Sequence, residues 1–295
     1  DTKTLFVDEY RSEFPFLADP KNDPLTIGVR ENNALCRVLK PNSVTHLQSG
    51  FWLAGSFMNE WAHFVFSFLV QIWYFQQHPM WKRAPLYVPD NLSDTSYQFL
   101  SYMIGDSVPV IRLKQGQQIG FEIVVSAPSK VFSPGNVRFA NSRPPEHVFV
   151  DPLQFIRMKK LLEGFEEFST FPTIKKVFMD RSKYGRRELN NRADVKRICE
   201  KHGFKSIDLA ELNAPDQVKV WKDAEKVVGD LGAWHYLSVI NDNADIVALN
   251  SDWDFHCWGD VSSINKVRSN PTKLILGKRD GIKGYSSLGE DAPHK

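Results

Sequence analysis

Cysteine is scarce in this chain: Cys36, Cys199 and Cys257 are the only three. An odd number at wide spacing supports neither a disulfide framework nor a zinc site, and a reducing compartment is the expected setting. An excess of one charge sign is missing too. Lys and Arg number 37 against 35 Asp and Glu, a formal net charge of +2. A dedicated nucleic-acid binder carries a larger or more clustered basic excess, so that class is excluded. No run of about 18 apolar residues occurs, so no transmembrane helix is predicted. The richest stretch, Phe57 to Phe75, is broken by Asn59, Glu60, His63, Ser67 and Gln71. There is no nucleophile elbow, no full P-loop and no internal repeat. The chain opens on Asp1, read as a processed or truncated start, and no signal-peptide pattern follows.

What is present describes a folded α/β chain. Hydrophobic residues make up 42% and charged residues 24% of 295, a globular balance. In the first half a strand is read over Thr45–Leu53. Apolar residues at helical spacing (Phe57, Trp61, Phe64, Phe68, Ile72, Phe75) predict one helix to Gln77, closed by His78-Pro79. Strands follow at Pro85–Pro89, Val108–Leu113 and Phe121–Ser126. Ser93 caps a helix ending at Gly105. This β-α-β order predicts a parallel sheet. Residues 126–152, rich in proline, read as the link between halves, and Asp151 caps a helix to Phe168. In the second half strands are read at Ile174–Met179, Phe204–Asp208, Glu225–Val228 and Ala244–Leu249. Helices are read at Asn191–His202, Asp216–Asp223 and from Ala233. Beyond Asn270 a Gly-, Lys- and Ser-rich tail is expected to be partly disordered.

Three constellations could carry chemistry. Val227-Val-Gly-Asp-Leu-Gly-Ala-Trp-His235 is a glycine turn leading from a parallel strand into a helix, where free amides and the helix dipole attract anions. The alternative is a plain β-α turn. The basic loop Arg181 to Arg187 follows a strand directly, at the same sheet edge, and arginine's planar fork matches phosphate. His63, with Asn59 read as one helical turn earlier, stands on an apolar helix, where a histidine is either a catalyst or a satisfied core residue. A further pair, Asp252-Trp-Asp254, has the look of carboxylates that hold a divalent metal under a diphosphate, while His256-Cys257 lacks further ligands at metal spacing.

In this order the segments resemble glycosyltransferase family 61, inverting transferases of plant, animal and bacterial glycan synthesis. Asn59 and His63 match its early Asn-x-x-His-type helix. Asp180-Arg181 and Arg187-Glu-Leu-Asn190 match its Ser-Arg and Arg-x-x-Asn-Glu elements. Asp216-Gln217 stands at its Glu-Gln pair, and Val227 to Ala233 at its Gly-x-His-Gly-Ala turn. The resemblance covers Phe57 to Asn250 and is strongest from Lys175 onward. Departures are Leu231 at the turn's histidine, Asn191 at a glutamate, Ala248-Leu249 where a glutamate commonly ends a strand, and Ser67 at an acid. His235, four residues after Leu231, is the candidate to take that histidine's place.

The resemblance implies an α/β fold of two Rossmann-like halves facing a cleft (GT-B-like), an acceptor-side half over 1–150 and a nucleotide-sugar half over 151–295. It implies His63 as catalytic base and Asn59 on the acceptor side. Arg181, Arg187, Asn190, Gly229, Gly232 and Ala233 would hold the donor phosphates, with Asp230, Trp234, His235 and Gln217 as further donor-site candidates. Partners would be a nucleotide-sugar donor and a glycan acceptor of capsular or cell-surface type, with no nucleic acid and no metal or other cofactor. The setting would be cytoplasmic, with peripheral association at the inner face of the membrane. The rival readings are a sugar-nucleotide epimerase, a metal-dependent transferase using Asp252 and Asp254, and a non-catalytic nucleotide- or carbohydrate-binding protein, which Leu231 favours.

Overall fold

The computed structural model describes residues 26–30, 33–36, 44–55, 58–114, 118–127, 131–132, 149–181, 189–251 and 258–277. The first half opens with β1 (Thr26–Arg30) and β2 (Asn33–Cys36), an antiparallel pair in a region with weak sequence signals. β3 (Val44–Trp52), β4 (Leu86–Pro89), β5 (Val110–Leu113) and β6 (Gln118–Val125) then form a sheet in the order β5-β4-β3-β6, with every pairing parallel as predicted. Leu86, Tyr87 and Val88 are all buried, the pattern of a strand covered on both faces.

The single helix predicted to Gln77 is instead three segments. α1 (Trp61–His63) runs into a π-helix over Phe64–Leu69, and α2 (Gln71–Gln76) follows. All six π-helical residues are buried, so packing on every side, not one apolar stripe, sets the winding. The Gln71 side-chain amide donates to the Ser67 carbonyl at 3.0 Å, the acceptor that its own N–H would use in an α-helix. α3 (Asp94–Ile104) starts and stops as predicted. The Ser93 hydroxyl accepts from the Ser96 N–H at 3.1 Å, and Gly105 ends the helix at φ 61°, ψ −169°.

The proline-rich link contains two short antiparallel strands, β7 (Val131–Phe132) and β8 (Phe149–Val150). α4 (Pro152–Leu161) is capped by Asp151 but is shorter than predicted. Gly164 adopts φ 83° and hands the chain to a 3-10 turn at Phe165–Phe168. The second sheet comprises β9 (Lys176–Met179), β10 (Lys205–Ile207), β11 (Lys226–Asp230), β12 (Asp245–Ser251) and β13 (Lys273–Gly277), in the order β10-β9-β11-β12-β13 and parallel throughout. Between these strands lie α5 (Arg192–Lys201), α6 (Ala214–Asp223) and α7 (Trp258–Asn265). The tail beyond Asn270, expected to be partly disordered, supplies an edge strand at Lys273–Gly277, and its residues 278–295 lie outside the described residues. Leu274 to Leu276 form a short apolar run outweighed in the sequence by the polar residues around it, and the Thr272 N–H is fixed by Asn265 Oδ1 at 2.9 Å.

One cluster of buried apolar side chains spans both sheets, from Phe51, Phe64 and Phe99 to Trp221, Val227 and Ile246. Polar contacts cross with it. The Ala214 N–H donates to Gln98 Oε1 at 2.8 Å, and Gln154 and Arg157 of α4 both donate to the Tyr74 hydroxyl of α2. Gly105 isolates the backbone term in this fold, because a Cβ there meets nothing within 4 Å. Gly105→Ala should therefore lower unfolding free energy by about 1–3 kcal/mol through backbone strain alone. Denaturant midpoints with an unchanged m-value would check this.

Candidate functional site

In its order of strands the second sheet reads second, first, third, fourth, fifth, a doubly wound arrangement whose order reverses between β9 and β11. Chains leave these two strands toward opposite faces, and the crevice outside their carboxyl ends is where such sheets bind ligands. Asp180 follows β9 there and Asp230 closes β11; both are buried. The Arg192 side chain, at the first residue of α5, lies between them. Its Nη2 is 2.5 Å from Asp230 Oδ2 and its Nη1 3.9 Å from Asp180 Oδ1. One turn on, Lys196 reaches Asp180 Oδ2 at 2.8 Å, and the Ser206 hydroxyl of β10 donates to the same oxygen at 2.8 Å. Burial pushes the Asp230 carboxyl above the usual carboxylate range, against the opposing pull of Arg192 and Arg181.

The glycine turn closes on this network. Arg181 Nη1 donates to the Leu231 carbonyl at 3.2 Å, and a Cβ at Gly232 would collide with the Arg181 guanidinium. Gly232 has φ −177°, extended backbone open to any residue, so a side chain there would have only to displace the Arg181 guanidinium, the far end of a flexible side chain. At Gly229 a Cβ would come within 2.6 Å of Met179 Cβ on β9. The helix expected from Ala233 is a 3-10 helix, Ala233–Ile240. The Leu231 N–H is taken by the Leu249 carbonyl of β12 at 2.8 Å.

Several residues singled out in the sequence lie in the core. The Trp234 indole N–H donates to the Asp230 carbonyl at 2.5 Å and its ring stacks on Trp221. His235 is 2% exposed, with Nε2 at 2.7 Å from Thr272 Oγ1. Burial, aided by nearby Arg268, lowers its pKa to about 3, so it is neutral near pH 7. Gln217 is buried and its amide donates to the Leu209 and Leu212 carbonyls, tying a 3-10 turn to α6. Leu231 is 6% exposed. Asn190 is exposed in the turn before α5, and Ala233 is half-buried. Arg187, Asp252, Asp254, His256 and Cys257 lie outside the described residues.

On the other half, His63 is the last residue of α1 and half-buried, its ring 5.2 Å from Phe66. Asn59 is exposed in a turn, and the helix begins only at Trp61 after the extended Glu60. Asn59 is therefore not one helical turn before His63, as the spacing predicted. α1 packs against the 3-10 helix that starts at Ala233, and Phe66 stacks on Tyr236 of that helix at 4.5 Å. The fold thus joins the His63 segment to the helix leaving the glycine turn. Sequence reasoning missed Arg192. Its signal was an acid at the end of each of two apolar strands, Asp180 and Asp230, since two buried carboxylates side by side call for a cation.

The family model described as Glycosyltransferase 61 matches residues 61–244, from the first residue of α1 to the residue before β12. Among curated proteins none matches the chain.

The buried histidine gives a sign that can be checked. Its folded pKa, about 3, lies below its ordinary 6.5. The unfolded chain therefore binds the extra proton first. The stability His235 contributes is complete above about pH 6.5 and is lost as pH falls toward about 3. Denaturant unfolding of His235→Gln should show a shallower loss of stability than the parent between about pH 7 and pH 4. Equal slopes would count against it.

Proposed function

The chain belongs to glycosyltransferase family 61, and we propose that it is an inverting, metal-independent transferase moving a hexosyl or pentosyl unit from a nucleotide-sugar donor to a glycan hydroxyl. The observation that carries this reading is the convergence of Arg181, Gly229 and Gly232 on the β9/β11 crevice. In the proposed reaction Arg181, Arg187 and Asn190, with backbone amides of Gly232 and Ala233, hold the donor diphosphate. Gly229 lets β11 approach β9 closely enough to shape that seat. His63 Nδ1 or Nε2 takes the proton of the acceptor hydroxyl, whose oxygen attacks the anomeric carbon from the face opposite the diphosphate. The bond to the diphosphate breaks, and its developing charge falls on the arginines and the start of the 3-10 helix, in place of a cation. Asn59 is assigned to the acceptor side. Trp234, His235 and Gln217 support this seat from the core. The acceptor is proposed to be a capsular or cell-surface polysaccharide, extended in the cytoplasm at the inner face of the membrane. Among the described residues no helix is long and apolar enough to cross a membrane, so attachment in this reading is peripheral.

A second reading, a nucleotide-binding protein without turnover, is favoured by Leu231, which is buried at the position where the resemblance puts a histidine. Turnover with a panel of sugar nucleotides separates the two. His63→Ala should lower kcat by about 10²–10⁴-fold with donor affinity nearly unchanged. A variant that keeps its rate and loses only thermal stability would make His63 a core residue. Arg181→Ala should weaken nucleotide binding by about 1.5–3 kcal/mol in calorimetry, the size of a charge-assisted contact. Activity should survive EDTA; loss restored by manganese would shift the assignment to Asp252 and Asp254.

A further inference from the structure

The ion network at the β9/β11 crevice holds its central arginine incompletely. Arg192 meets Asp230 through a single Nη2–Oδ2 contact of 2.5 Å. A settled arginine–carboxylate pair commonly makes two parallel bonds. Here, among the described residues, Arg192 Nε and Asp230 Oδ1 are both buried without a hydrogen-bond partner. The Asp180 end is different. Its Oδ2 already accepts from Lys196 and Ser206, and its Oδ1 keeps a looser hold on Arg192 at 3.9 Å. The guanidinium therefore has a fixed anchor on one side and a half-made pair on the other, at the mouth of the crevice.

Resting on the donor-site reading above, we propose that Arg192 is a further ligand of the donor diphosphate, held in place by Asp230 until nucleotide arrives. Binding exchanges the Arg192–Asp230 pair for an Arg192–phosphate pair, and Asp230 takes up one proton from solvent. The charges fit this exchange. Among the described residues, Arg181, Arg192 and Lys196 lie against Asp180 and Asp230, and neutralising Asp230 releases the Arg192 guanidinium for a phosphate. Among the described residues, the groups around Asp230 are Arg192 from α5, Asp180 and Arg181 after β9, the Trp234 indole on its carbonyl, and Leu249 as its register partner on β12. Of the charged ones, Arg192 and Arg181 favour the ionised form, and a phosphate that engages them withdraws that support. Burial already pushes Asp230 toward the protonated form. If the network served only to neutralise buried acids, nucleotide binding would leave its protonation unchanged.

Calorimetry on the full chain with UDP and GDP, in buffers of differing ionisation enthalpy and over a pH series, tests the exchange. The expected result is net proton uptake, with affinity rising by up to about tenfold per unit fall in pH across the window where Asp230 titrates. Asp230→Asn removes the competing carboxylate. It should bind several-fold more tightly than the parent near neutral pH and show little pH dependence. Arg192→Ala alone leaves two buried acids without their shared cation, so the double variant Arg192→Gln/Asp230→Asn is used instead. With folding confirmed by circular dichroism, it should bind at least about tenfold more weakly than Asp230→Asn, the usual scale for one charge-assisted bond. Equal affinity of the double and single variants overturns the role of Arg192. An unaltered pH slope in Asp230→Asn overturns the exchange. Failure of the parent chain to bind UDP, GDP, CDP or dTDP at all overturns the donor-site reading and this proposal with it, an outcome distinct from the other two.

Discussion

The second sheet depends on how two buried carboxylates at the ends of adjacent parallel strands are reconciled. Asp180 and Asp230 sit side by side where β9 and β11 finish, at a depth where an isolated carboxylate is costly. Arg192 between them, with Lys196 and Ser206 on Asp180, makes that arrangement tolerable. The constraint propagates. With α5 tied by its first turn to both strand ends, the chain leaving β9 returns close to its start. The Leu231 carbonyl accepts from Arg181, and the guanidinium lies over Gly232 where a side chain would have to displace it. A cation-lined crevice is therefore a consequence of how the strand ends are neutralised as much as of the glycine turn.

Core demands explain why some residues with chemical potential stand away from that crevice. The 3-10 helix after Gly232 turns Trp234 onto Trp221 and drives His235 down to Thr272. A titratable ring so placed is kept neutral by its surroundings, and Arg268 nearby is occupied by the carbonyls of Ser238, Asn241, Ala244 and Asn270. Gln217 similarly serves backbone carbonyls. Side chains with this much local bonding hold the platform rigid; they do not reach across it.

Strands and helix ends were legible because their signals are local. Ser93 and Asp151 cap helices through their own oxygens, and Gly105 ends a helix at positive φ. The parallel pairing within each sheet followed from alternation of apolar strands with amphipathic helices. What was not legible depends on contacts distant in sequence. The π-helix over Phe64–Leu69 reads as an ordinary helix until its burial on all sides is known. β13 is a strand because β12 offers an edge, which composition near Asn270 does not reveal. Arg181 and the glycine turn were found by their place after predicted strands. Arg192 was not found, since its meaning lies in two acids 12 and 38 residues away, only the second of which appears in that register as a close pair.

The π-helix is one of the connections between the two halves. A run of Phe64, Val65, Phe66, Ser67, Phe68 and Leu69 buried on every face leaves no polar stripe to orient it toward solvent. Its position is set by what it packs against, and on one side that is Tyr236 of the 3-10 helix. His63 immediately precedes this run and shares the Phe66 ring as a neighbour. The location of His63 is thus coupled to the turn at Gly232 through two aromatic contacts and the start of the 3-10 helix. A histidine on an exposed amphipathic helix would have no such coupling. Here the same packing that buries the aromatic run also seats the His63 segment against the 3-10 helix that leaves the glycine turn.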